Sequence, residues 1–259
     1  MNIPFYQIDA FTSRVFAGNP AGVCLLNEWP EESTMQSIAA ENNLSETAFL
    51  VNTGDFYEMR WFTPKMEVDL CGHATLASAF AIFEYVDTHA SRVGFQTKSG
   101  MLSVERQRDL LVMDFPARPP ESVEPVPDLS DILGLRPSQV LRSRDLFVVC
   151  EEEEQVRKLA PDLSRIAALD YLGLIVTARG RRSDFVSRFF APRAGIPEDP
   201  VTGSAHCTLV PYWSKRLRKK HLHALQLSAR GGELFCVDKD KRVLIGGRAV
   251  TYLSGTITI

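Results

Sequence analysis

The chain has 259 residues, enough for one large domain or two of about 130, and either size can bury a proper core. With 45% apolar residues, 24% charged residues and a net charge of −3, it reads as a globular protein with no reason to expect a nucleic-acid partner. Five scattered cysteines without a CxxC pair, an opening MNIPFYQIDAF that lacks a basic n-region, and no apolar run of about eighteen residues point to a reducing, cytoplasmic setting without disulfides or a membrane span.

In chain order, Ile3–Asp9 and Gly22–Leu26 read as strands separated by the turn Ala17-Gly18-Asn19-Pro20. Residues Glu31–Glu41 carry an acidic first turn and the Met35, Ile38, Ala39 spacing of an amphipathic helix. Glu46–Val51 and Phe56–Phe62 are β-like, joined by the hairpin signal Asn52-Thr53-Gly54-Asp55. From Gly72 to about Val86 the apolar residues cover most of a helix circumference, which predicts a buried helix inside a curled sheet. Strands follow at Val93–Thr97, Leu102–Arg106 and Leu110–Phe115. The proline-rich stretch Pro116–Pro127 then marks a domain boundary, giving halves of residues 1–117 and 118–259. The second half repeats the mix. Its strands are near Val140–Arg142, Phe147–Cys150, Leu172–Thr177 and Phe185–Phe190, and it has a short helix around Glu152–Leu159. A helix from Gly203 precedes strands at Leu225–Ala229, Glu233–Val237, Arg242–Ile245 and Ala249–Ile259.

Two stretches look like copies. Arg60-Trp61-Phe62-Thr63-Pro64-Lys65 leads into Cys71-Gly72-His73-Ala74, and Arg188-Phe189-Phe190-Ala191-Pro192-Arg193 leads into Thr202-Gly203-Ser204-Ala205. The arginines stand 128 apart and the glycines 131, so the second copy has three extra residues in its loop. A duplicated loop-to-helix turn can set two helix N-termini, natural anion sites, around one cleft.

Glu46 introduces the apolar run Ala48–Val51. Partial desolvation there would raise its pKa towards that of a general acid/base, and a solvated turn acid is the alternative. Cys71, Gly72 and His73 combine a thiol, a glycine and an imidazole at a helix start, where either polar group could shuttle protons or serve a structural purpose. Asp199, Thr202 and Ser204 precede or open the second helix, where capping alone accounts for much of the pattern. No metal is expected, because His73 has no histidine partner at helical spacing, and no nucleotide loop or serine-hydrolase elbow is present.

Four motifs, in order, resemble the PhzF-like (phenazine-biosynthesis-like) isomerase family. They are Asp9-Ala10-Phe11-Thr12 with Phe16-Ala17-Gly18-Asn19-Pro20-Ala21; Leu44-Ser45-Glu46-Thr47-Ala48-Phe49; Phe62-Thr63-Pro64 through Cys71-Gly72-His73-Ala74-Thr75; and Glu198-Asp199-Pro200-Val201-Thr202-Gly203-Ser204-Ala205. The resemblance implies an α+β, diaminopimelate epimerase-like fold. In it two pseudo-symmetric domains each wrap a curled, mainly antiparallel, barrel-like sheet round a central helix, and the last strand returns to the first half. It also implies a cofactor-independent isomerase, commonly a homodimer, acting on a small carboxylate-bearing metabolite. Glu46 then looks like the acid/base, and His73, Asp199 and Ser204 match polar groups around the reacting substrate. Gly72 and Gly203 open carboxylate-binding helices, and Asn19 lines the cleft. Epimerases of this fold use two cysteines. Here Cys71 fills the first position and Thr202, or a neighbour, the second, so two-thiol chemistry is disfavoured. The rival readings are an amino-acid racemase or epimerase, and a non-catalytic small-ligand binding protein of the same fold.

Overall fold

A computed structural model describes residues 1–259, which divide into two compact units. The first comprises Met1–Asp114 and Gly246–Ile259, and the second Phe115–Ile245.

The first unit is built from β1 (Asn2–Ala10), β2 (Asn19–Leu26), α1 (Glu32–Asn42), β3 (Glu46–Asn52), β4 (Tyr57–Phe62), β5 (Glu67–Val68), α2 (Gly72–Ala81), β6 (Arg92–Thr97), β7 (Gly100–Gln107) and β8 (Leu110–Pro116). Within it β2 runs parallel to β3, β3 antiparallel to β4, β4 parallel to β6, and β6 antiparallel to β7. Alternation in β1 sends Ile3 and Phe5 inward, and these pack with Met35 and Ile38 of α1, Phe49 of β3 and Phe62 of β4. Helix α2 is buried nearly all round and packs on β1, β2, β3 and β7, as its continuous apolar surface requires. It stops at Ala81 rather than running on, because the next turn, Ile82–Val86, widens to a π-helix.

The second unit contains β9 (Glu121–Ser122), α3 (Leu129–Leu133), β10 (Gln139–Arg142), β11 (Leu146–Val149), α4 (Glu153–Lys158), α5 (Leu163–Ala167), β12 (Leu174–Arg179), β13 (Phe185–Ala191), β14 (Ile196–Asp199), α6 (Gly203–Leu217), β15 (His221–Gln226), β16 (Gly232–Asp238) and β17 (Arg242–Gly247). The chain then returns to the first unit as β18 (Ala249–Thr258), antiparallel to β1. The pairing order of the first unit recurs: β11 parallel to β12, β12 antiparallel to β13, β13 parallel to β15, β15 antiparallel to β16. The parallel pairs make each sheet mixed, and each is curled without closing into a barrel.

The copied motif is equivalent down to its side chains. Arg60 on β4 makes a two-pronged bond to Glu67 (2.7 and 2.7 Å), and Arg188 on β13 does the same to Glu198 (2.7 and 2.9 Å). Each guanidinium lies over the ring two residues on, Arg60 over Phe62 at 5.2 Å and Arg188 over Phe190 at 4.9 Å. The three extra residues fall between Phe190 and Glu198, where the chain adds a single 3-10 turn, Pro192–Ala194. The strand expected at Leu225–Ala229 starts earlier, at His221, because Leu222, Ala224 and Gln226 face inward alternately. No helix is long and apolar enough to cross a membrane.

Candidate active site

In the first unit three chain starts meet. Strands β2 and β3 are parallel with Ala21 opposite Glu46, so Asn19 at the start of β2 and Glu46 at the start of β3 lie at the same end of the sheet. Helix α2 packs on both strands and brings Cys71, Gly72 and His73 to that end. Asn19, Glu46, Cys71 and His73 are all buried, Glu46 with 8% of its surface exposed.

Asn19 Nδ2 lies 3.2 Å from His73 Nδ1, and Cys71 Sγ lies 3.4 Å from the same nitrogen. An amide nitrogen only donates, so Nδ1 accepts and the ring proton sits on Nε2. Nε2 is 3.2 Å from Glu46 Oε2, a contact not yet aligned as a hydrogen bond. Contacts of this length tighten when a substrate binds. Burial lowers the His73 pKa from 6.5 to about 3, so the imidazole stays neutral at any working pH.

Glu46, Cys71 and His73 offer donor atoms within 4.8 Å of one another, a spacing open to a metal ion. The directions of the lone pairs argue against one. Nδ1 faces Cys71 and Asn19 while Nε2 faces Glu46, so no single imidazole nitrogen looks towards both other donors.

In the second unit the corresponding residues gather at the start of α6. Cys71 and Thr202 are both helix N-caps in extended backbone conformation (φ −141° and −114°), each one residue before a glycine. Three residues beyond each glycine a side chain reaches back to the cap carbonyl: Thr75 Oγ1 donates to Cys71 O at 2.6 Å and His206 Nδ1 to Thr202 O at 2.8 Å. Thr202 Oγ1 donates to Asp199 Oδ2 at 2.6 Å. Ser204 Oγ accepts from Arg144 at 3.2 Å. Burial lowers the His206 pKa to about 4 and raises the thiols of Cys150 and Cys207 to about 11, which leaves those cysteines inert at neutral pH.

Two residues of this arrangement escaped the sequence reading. Gln226 takes the Thr202 N–H at 2.9 Å and donates to Asp199 O at 2.9 Å, fixing the loop before α6. A glutamine at an inward position of an alternating strand was the available signal. Arg144 carried none. Two open grooves lie elsewhere, one between α1 and Ile257–Ile259 and another along residues 123–140, and neither holds a candidate site residue.

Residues 8–255 match the phenazine biosynthesis-like protein family, PhzC-PhzF. The chain belongs to that family. An uncharacterized isomerase of Pseudomonas aeruginosa is 53% identical to this PhzF-family chain over 100% of both sequences. A solved PhzF-family structure from Enterococcus faecalis is 48% identical, covers 100% of both chains and superposes with a TM-score of 0.98. The fold extends to a hydroxyproline epimerase from Agrobacterium vitis, with a TM-score of 0.61, 9% identity and coverage of 99% of this chain and 92% of that one. The PhzF-family chain is an enzyme of the isomerase class.

Proposed function

We propose that this isomerase moves a proton on a small carboxylate-bearing metabolite, without a cofactor, using Glu46 as general acid and base. The observation that carries the reading is the buried Glu46 carboxylate, 3.2 Å from the N–H of a histidine that burial keeps neutral. Glu46 accepts a proton from a carbon made acidic by an adjoining conjugated group, and the electron pair stays on the substrate as a delocalised anion. Glu46, now a carboxylic acid, returns that proton to another atom of the conjugated system. The His73 Nε2–H offsets negative charge on whichever partner carries it, and backbone N–H groups at the start of α2, opened by Gly72, suit the substrate's carboxylate. The proton count closes on one residue.

Asp199 and Ser204 as substrate-contacting groups, and Gly203 as the opening of a second carboxylate-binding helix, are proposals of the same kind, supported by the motif equivalence at α6. So are a cytoplasmic location and a homodimer. Racemisation by two thiols is disfavoured, since the position equivalent to Cys71 holds Thr202, whose hydroxyl already donates to Asp199.

The test is incubation with a panel of small cyclic and unsaturated carboxylates in deuterium oxide, read by NMR and mass spectrometry. The wild-type chain should give an isomer carrying deuterium at one carbon. Glu46→Gln, which is nearly isosteric, should lower the rate about 10²–10⁴-fold while ligand still raises the melting temperature. Unchanged turnover in that variant overturns the mechanism.

A further inference from the structure

We infer that Arg144, seated against Asp145, is a positioning residue that turns the Ser204 hydroxyl into a donor for an anionic oxygen of the substrate. This rests on Ser204 meeting substrate, as proposed above.

The duplicated halves point to it first. In the first unit Gly22 lies opposite Thr47 and Thr47 opposite Phe62; in the second, Leu146 lies opposite Leu174 and Leu174 opposite Phe190. With Phe62 matched to Phe190, Glu46 corresponds to Gly173, Ala21 to Asp145 and Pro20 to Arg144. Gly72 and Gly203 likewise match His73 to Ser204. The place of Glu46 is therefore taken by a residue with no side chain. A Cβ there would lie 3.2 Å from Asp145 Oδ1 and 2.3 Å from Phe189 Cζ, so a carboxyl from the neighbouring segment and a ring occupy that space. The second unit thus keeps a carboxyl, a polar group after the helix glycine and a long donor that reaches it. Asp145, Ser204 and Arg144 stand where the first unit has Glu46, His73 and Asn19.

Hydrogen-bond directions agree. Arg144 Nη2 lies 3.2 Å from Ser204 Oγ and 3.4 Å from Asp145 Oδ2. A guanidinium only donates, so Ser204 Oγ accepts and its own proton points elsewhere. No acceptor in the protein takes that proton. Asp145 is 2% exposed, and its Oδ1 has no hydrogen-bond partner. Burial holds its carboxyl above the ordinary range, against the pull of Arg144 and Arg118. Its contact with Arg144 is longer than the about 2.7–2.9 Å of a fully formed charge-assisted bond, which leaves much of the guanidinium charge uncompensated. The Arg144 side chain is 39% exposed, so that charge also faces solvent beside Ser204. Backbone N–H groups opening the 15-residue helix α6 add potential of the same sign. A hydroxyl left only to donate, a cation with unused N–H groups and a helix start together suit an oxygen that bears negative charge. That oxygen belongs either to a standing carboxylate or to an oxyanion that develops in the reaction.

A substrate-free probe tests this. In Ser204→Cys the introduced thiol reports the local potential through alkylation by iodoacetamide, read by peptide mass spectrometry. At neutral pH it should react about tenfold faster than in Ser204→Cys/Arg144→Ala, because the nearby cation favours the thiolate. Ser204→Cys/Arg144→Gln keeps more of the bulk and gives the same reading if the alanine variant misfolds. Equal rates with and without Arg144 overturn the inference, whatever becomes of Glu46. With a carboxylate that the wild-type chain turns over, Arg144→Ala should lower kcat/KM about 10–100-fold. Added methylguanidinium should restore part of the loss, which a merely structural role would not allow. A rise in KM alone marks the standing carboxylate; a fall in kcat marks the developing oxyanion. An undiminished kcat/KM, or a loss that methylguanidinium leaves untouched, also overturns the inference. Should Glu46→Gln keep its turnover while the thiol still responds to Arg144, the proton-transfer reading fails and this one stands.

Discussion

Gly18 sits where a Cβ has no room. At φ 64° a methyl group there would lie 2.2 Å from Ala10 O and 2.7 Å from Thr12 Cγ2. The next residue is Asn19, which donates to His73 Nδ1, so this close approach sets one end of the chain Asn19–His73–Glu46. Gly18→Ala should cost at least about 2 kcal/mol, measured by urea denaturation, and a variant as stable as the wild-type chain would show that the turn re-forms without strain. Cys71→Ser should be mild by comparison, because a hydroxyl can replace the thiol as donor to Nδ1. A loss of turnover as large as that of Glu46→Gln would shift the chemistry to the thiol. Asn19, Glu46, Cys71 and His73 were legible in the sequence because each opens an element, next to a recognisable turn or cap. Arg144 and Gln226 were not, because their partners Ser204 and Thr202 lie 60 and 24 residues away and no local pattern marks either contact.

At the scale of elements, the duplicated arginine does more than brace its hairpin. Arg60 also reaches Glu32 at the start of α1 (2.6 Å), and Arg188 donates to Val156 O and Leu159 O at the end of α4 (3.2 and 2.6 Å). Each arginine therefore locks a helix to the strand pair beside it. Removing Arg188 strands two carbonyls and a carboxylate. Arg188→Ala should cost about 3 kcal/mol and Arg188→Lys nearly as much, since an ammonium cannot form the fork; both are read as shifts in denaturation midpoint. A midpoint within error of wild type would mean that water replaces all four bonds. The arginines were visible in the sequence as a repeat, whereas Glu67 and Glu198 were not, because the three-residue insertion puts them 7 and 10 residues from their partners. Strands β5 and β14 and helices α3 and α5 were missed for a related reason. Two to five residues hold no full period of apolar alternation, and such elements exist only because a neighbour pairs or packs with them.

Across the whole molecule, acid stability follows from two histidines, one in each unit. Burial lowers His73 to about 3 and His206 to about 4 from an ordinary 6.5. Between pH 6.5 and those values the unfolded chain binds protons that the folded chain refuses, so stability is full above about 6.5 and falls as pH drops through the window. Each histidine contributes about 1.4 kcal/mol per pH unit while its window lasts. Denaturation midpoints at pH 6.5, 6 and 5 should fall in sequence, above the range where most carboxylates titrate. His206→Gln should flatten the slope even if its midpoint is lower throughout. A profile level down to pH 5 would mean that the folded histidines still take up protons.

The discontinuity of the first unit has a consequence for biosynthesis. Residues 115–245 are one uninterrupted segment, while β1 waits for β18, which the ribosome makes after everything else described here. The later-made unit can therefore finish folding before the earlier one. For the time it takes to translate the second unit, β1 carries a naked flank, the kind of surface that chaperones recognise on emerging polypeptides. Nascent chains stalled before Gly246 should accordingly show protease-resistant second units attached to first units that are still open to cleavage.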